Sequence, residues 1–190
     1  MKTITPTKNR ILRVAQKILS NEGYVGTSIS NIAKIVGVTK PTVYHFFKNK
    51  EELFKEVLIT AFNELNTKLK KANSKKESLD QKLEKLSIIY IKFGLKHKNI
   101  FTTALQKIPH SEKNLIHLVT ELRKKIITYF EEVIEEGITK NLIPTNNSIL
   151  TAYLLVGGLD SFLLEKIFFQ EKRWTPKSAT EVLTSIIFRK

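Results

Sequence analysis

The run from Thr27 to Lys50, TSISNIAKIVGVTKPTVYHFFKNK, constrains this chain more than any other stretch, because it caps two short helices and separates them with a glycine. The first helix starts at Thr27 or Ser28, whose hydroxyl accepts a backbone N–H that an opening turn leaves unpaired. Ile29, Ile32, Ala33 and Val36 recur at helical spacing and define one buried face. Gly37 follows, where the chain needs a left-handed residue to leave the helix, and Val38 tucks back under the turn. Thr39 caps a second helix, and Pro41 is tolerated in its first turn because those N–H groups have no helical acceptor. Val43 and Phe47 turn inward. Lys40, Thr42, Tyr44 and His45 point outward from the front of that helix, as a helix entering a major groove requires of side chains that bond base edges and phosphates.

Charge points the same way. The chain carries a formal +14, and up to residue 50 Lys2, Lys8, Arg10, Arg13, Lys17, Lys34, Lys40, Lys48 and Lys50 face the single acid Glu22, so this short segment holds more than half of the excess. Lysine, isoleucine and asparagine are abundant throughout, which accounts for the remainder better than for the near absence of acids before Glu51. A basic stripe around paired helices is the footprint of phosphate binding, and it predicts affinity that falls steeply with salt. Lys2, with Lys8 and Arg10 just after it, is placed to reach a neighbouring groove or phosphate.

The elements Thr27-Ser28, Ile32-Ala33, Gly37-Val38 and the spaced Tyr44, Phe47 and Lys50 resemble, at matching intervals, the DNA-binding domain of tetracycline-repressor-type (TetR) bacterial regulators. The sequence departs from the family pattern at Pro41, often Gly, and at Phe46, often a polar aromatic or His. The resemblance implies an all-α homodimer that binds double-stranded operator DNA through residues 1–50, with the helix-turn-helix at 28–47. Residues 51–190 would then form a larger helical ligand-binding and dimerisation domain, about nine helices in all. Thr27, Thr39, Lys40, Tyr44 and Lys50 match family positions that commonly touch DNA, mostly at phosphates. Ser28, Pro41, Thr42 and His45 complete the expected DNA-binding set.

Elsewhere the periodicity is helical throughout. Ile11 to Leu19 forms a first helix that Gly23 ends, with Tyr24 plugging the three-helix core. Glu51 and Glu52 open a long fourth helix bearing Phe54, Val57, Leu58, Ala61, Phe62, Leu65 and Leu69 on one stripe, a candidate lever. Ser78 and Gln81 form a capping box for a fifth helix, Asn99 begins a short sixth that Pro109 closes, and a long seventh runs from Ser111 to Gly137. Ile149 to Phe169 is apolar on nearly every side, but Asp160, Glu165, Lys166 and Gly157-Gly158 interrupt the run of about 18 apolar residues that a membrane span needs. It reads instead as a helix buried on two sides, against its own domain and a second copy. Trp174, Thr175 and Pro176 supply a staple, cap and first residue for the last helix. The resemblance places the last two helices in a four-helix dimer bundle, with Leu155, Leu159, Leu163, Ile167, Val182 and Ile186 as interface candidates.

Tyr90, Phe93, His97, Phe101, His117, Tyr153 and Asp160 are the candidate lining of an effector cavity, whose apolar walls favour a largely apolar small molecule. The plainer reading of each is ordinary structure: an aromatic on an apolar face is usually core, and a lone histidine usually only makes a hydrogen bond. With no cysteine, disulfides and thiolate metal sites are excluded, and a reducing cytoplasmic setting fits. The segment MKTITPTKNR lacks the apolar stretch of a signal peptide, so export is not expected. No metal or cofactor is expected: no phosphate loop or H-E-x-x-H motif occurs, and His110 and His117 lack an acidic companion. An enzyme that binds small molecules and a nonspecific DNA-coating protein are the competing classes.

Overall fold

The computed structural model describes residues 6–73, 77–108, 112–170 and 172–188. Among them there is no strand, and the order is α1 (Pro6–Gly26), α2 (Ile29–Val36), α3 (Lys40–Phe46), α4 (Lys50–Ala72), α5 (Leu79–Lys96), α6 (Lys98–Thr102), a π turn (Thr103–Lys107), α7 (Lys113–Thr139), α8 (Ser148–Phe168) and α9 (Pro176–Ile187). The all-α expectation is met. The expected sixth-helix stop at Pro109 and seventh-helix start at Ser111 lie outside the described residues, as does Lys2.

Two compact units emerge: Met1–Phe62 with His97–Thr120, and Asn63–Lys96 with Glu121–Lys190. The division falls within α4 and α7, so each helix contributes to both. In the first unit, Ile11, Ile32, Val43 and Leu58 are fully enclosed, and Tyr24 meets Phe54 edge to face at 4.8 Å. Gly23 interrupts α1 with φ 70° and ψ −176°, a conformation only glycine adopts without strain, so the expected break is present although helical hydrogen bonding resumes to Gly26. In the second unit, α5 packs against α8 and α9. There Gly94 lets Leu163 approach: a Cβ at that position would lie 2.6 Å from the leucine Cδ1.

The end of α7 differs from expectation. Gly137 lies inside the helix, where a Cβ would stand 2.5 Å from Ile143 Cδ1. The left-handed exit falls on Asn141 (φ 57°), whose N–H bonds the Ile138 carbonyl while Leu142 N–H returns to Gly137. Gly137 therefore serves close approach, not helix termination. α8 is long and apolar enough, at mean hydropathy 1.4, to cross a membrane by length and composition. Its stripe of Ala152, Leu155, Val156, Leu159 and Leu163 is buried within this chain.

Candidate DNA interface and effector site

The interface is assembled by caps. Ser28, in extended conformation, accepts the Asn31 N–H at 3.1 Å and starts α2. Gly37, at φ 77° and ψ 40°, ends it by donating to the Ala33 and Lys34 carbonyls, while Val38 also bonds Ala33. Thr39 accepts the Thr42 N–H at 3.3 Å, and its hydroxyl lies 2.8 Å from that of Thr42. Three residues thus fix where α3 begins and how it leaves α2. Val43 and Phe47 anchor it inward at 0% and 1% exposure, and Phe47 N–H bonds the Val43 carbonyl at 3.0 Å. Lys40, Pro41, Tyr44 and His45 are exposed together on the opposite face, with Thr42 half-buried at the edge.

Thr27 departs from this set. It is buried, and its hydroxyl donates to the Gly23 carbonyl at 2.7 Å, so its side chain holds the α1–α2 junction instead of pointing outward. Lys8 and Arg10 are likewise engaged at home. The Lys8 ammonium sits 2.7 Å from Glu56 and 5.2 Å from the Phe47 ring centroid, while Arg10 donates to the Val36 carbonyl at 2.7 Å and ties α1 to the end of α2. Exposed Lys34, Lys40 and Lys48 remain as outward charge near α2 and α3. Lys50 is half-buried: its ammonium lies 4.5 Å from the Tyr24 ring centroid and 3.5 Å from the Val25 carbonyl. Burial lowers its pKa, and the Glu112 carboxylate opposes that shift.

Sequence reasoning missed Asn49. Its side chain accepts the Glu52 N–H at 2.8 Å while Glu52 reaches back to the Lys48 N–H at 2.6 Å, closing the entrance to α4. The signal was present as Asn followed three residues later by Glu.

In the second unit two effector candidates meet. Tyr90 donates to Asp160 at 2.6 Å, and Arg123, which the sequence did not single out, pairs with the other carboxylate oxygen. Burial and the Asp160 charge push the Tyr90 phenol well above its ordinary range, so it stays protonated as a donor. Phe93 is buried on the same helix as Tyr90, and the buried Ser87 hydroxyl, one turn earlier, has no hydrogen-bond partner among the described residues. His97 and Phe101 are buried in the first unit, whereas His117 and Tyr153 are exposed, which removes those two from any enclosed lining. The dimer candidates also separate. Leu155, Leu159 and Leu163 are at most 2% exposed inside this chain and cannot meet a second copy, while Val182 and Ile186 are exposed and Ile167 is half-buried. The outward row on α8 is Leu150 and Leu154, at 58% and 77% exposure.

Two short helices set by a left-handed glycine, with polar groups on the free face of the second, define a helix-turn-helix DNA reader. Residues 11–57 match the family model of bacterial regulatory proteins, tetR family. The chain is similar to an uncharacterised HTH-type transcriptional regulator, YhgD, of Bacillus subtilis, 27% identical over 89% of this chain and 86% of that one. It is also similar to the fatty acid metabolism regulator protein of B. subtilis, 26% identical over 90% and 89%. The fold matches that of B. subtilis FadR solved with stearoyl-CoA, with a TM-score of 0.81, 18% identity and coverage of 95% and 97%. Residues 11–57 form a tetR-family DNA-binding domain, and the chain is a DNA-binding transcriptional regulator.

Proposed function

We propose that this chain represses transcription as a homodimer, each α3 entering one half-site of a two-fold operator, and that a largely apolar effector releases it. The observation that carries this reading is the exposed Lys40, Pro41, Tyr44 and His45 face of a helix fixed by Thr39, Gly37 and buried Phe47. Residues 1–50 do the reading, and residues 51–190 hold the effector and the second copy. The Tyr90–Asp160–Arg123 cluster, with Ser87 nearby in sequence, is a polar locus of the second unit around which an effector headgroup orients. The relatives concerned with fatty acid metabolism, and the stearoyl-CoA bound by B. subtilis FadR, favour a fatty-acyl effector here. Release requires the effector to bind the DNA-incompetent state more tightly, since equal affinity for both states shifts nothing.

The test is binding of the purified protein to its own upstream DNA and to a scrambled duplex across a salt series, then titration of the complex with acyl-CoA and with free fatty acid. Preference for upstream DNA with reversal by an acyl ligand is expected; equal binding to both duplexes points to a nonspecific coat. Lys50→Ala should weaken binding to all sequences and reduce the salt slope by about 1, whereas Lys40→Ala should also relax discrimination among operators by about 1–3 kcal/mol. Unchanged binding by both variants would remove this face from the interface.

The dimer reading rests on the row Leu150 and Leu154, with Val182 and Ile186 on α9, the helix packed beside α8. Gly157, one turn beyond Leu154, has open space where a Cβ would stand. Leu154→Asp should therefore yield a folded monomer by sedimentation, because a charge placed there meets only the second copy. A Leu154→Asp chain that still sediments as a dimer would locate the interface elsewhere.

A further inference from the structure

We propose that Glu112 is a built-in competitor with DNA for Lys50, so that the acid opening α7 sets how strongly the reader grips the phosphate backbone. This rests on the reading above that Lys50 meets a phosphate.

Tyr24 is the shared partner. Its ring, steadied by the edge contact with Phe54, carries the Lys50 ammonium 4.5 Å from its centroid, and its hydroxyl donates to Glu112 Oε1 at 3.1 Å. One buried aromatic therefore holds a cation over its ring and a carboxylate at its rim. Burial, then the bond to Glu112, pushes the Tyr24 phenol up to about 12, which keeps it a donor in that bond. The remaining Lys50 contact, to the Val25 carbonyl, is long at 3.5 Å, and Val25 is 80% exposed. Lys50 is thus stationed at the rim of the reader, in contacts weak enough for a phosphate to replace.

Glu112 reaches this place from far along the chain. Residues 99–103 are docked on the bend at Gly23: Asn99 donates to the Asn21 carbonyl at 2.5 Å, and Thr103 Oγ1 lies 3.5 Å from where a Gly23 Cβ would stand. A cleft of about 320 Å³ opens beside these contacts, lined by the end of α1 with Asn99, Thr102 and Thr103. The docking is polar and flanked by free volume, and the chain between it and Glu112 passes through the π turn. Glu112 competes for Lys50 at the Tyr24 side chain that both contact.

The experiment uses the full chain and a fluorescent duplex, with anisotropy read from low to high salt. Glu112→Gln, nearly isosteric, should bind about threefold to tenfold more tightly at low salt, with the gain shrinking as salt screens the charges. In a Lys50→Ala background the same substitution should change nothing. Glu112→Asp keeps the charge but withdraws it, and should fall between Glu112→Gln and the parent. No gain from Glu112→Gln in a chain that binds DNA would overturn the competition, and so would an equal gain without Lys50, which would be a general charge effect. Loss of no affinity on Lys50→Ala alone would instead overturn the phosphate role of Lys50, independently of Glu112.

Discussion

Replacing Asp160 by Ala should destabilise the second unit by on the order of 3 kcal/mol. Asp160 is 8% exposed, and its carboxylate accepts from two donors, Tyr90 at 2.6 Å and Arg123. Burial pulls the Arg123 guanidinium down, but its neighbours Tyr90 and Asp160 hold it above its usual range, so the cation depends on them. Removing one member of a desolvated pair leaves the other charge uncompensated, and that penalty exceeds the net worth of the intact pair. The chain's one tryptophan, Trp174, stands 5.3 Å from Phe162 in the same unit, so its fluorescence follows the unfolding in urea. The triple variant Tyr90→Phe, Arg123→Met, Asp160→Leu should recover most of the loss, because apolar groups of similar volume leave nothing unpaired. If the triple variant is as unstable as Asp160→Ala, the loss comes from packing, not from a stranded charge.

Phe47→Ala should cost about 3–5 kcal/mol and abolish DNA binding. The ring is 1% exposed at the end of α3, where it joins the reading helix to the core. Truncation leaves a cavity that α3 cannot close without moving its exposed face, and the cost is a large share of a typical domain's 5–15 kcal/mol. Amide exchange should accelerate across α2 and α3, while the Trp174 transition stays where it was. Tyr44→Ala is the contrast: at 49% exposure it should leave stability within about 0.5 kcal/mol and still weaken DNA binding. Equal destabilisation by both substitutions would mean that α3 is not organised as inner and outer faces.

The reader was legible in the sequence because its determinants are local. Ser28, Gly37 and Thr39 act on N–H and C=O groups within four residues, so their roles follow from spacing alone. The second unit was less legible where partners are distant. Gly137 looks like a helix terminator until Ile143 is seen filling the space its missing Cβ leaves. α8 is apolar on nearly every side, so no periodicity separates its inward stripe, which holds Leu155, Leu159 and Leu163, from the face left for a second copy. Arg123 sits beside Lys124 and Lys125 and looks like one more solvated cation, yet it alone pairs with Asp160, 37 residues away. The bond between Tyr24 and Glu112 spans 88 residues, and no spacing rule reaches that far.

The face of α3 has a consequence for where such a protein can act. Its seven residues, KPTVYHF, contain no arginine, asparagine or glutamine, the side chains best shaped to grip a purine by two bonds at once. Each half-site is therefore spelled by only a few distinguishing atoms, and a word that short recurs by chance throughout a genome offering about 10⁶–10⁹ rival positions. Preferences add as free energies and so multiply as odds when two half-sites are read together. In the two-fold arrangement proposed here, the meaning of the address lies in the distance between its halves as much as in their letters, and a lone protomer would still hold DNA while no longer knowing which DNA it held.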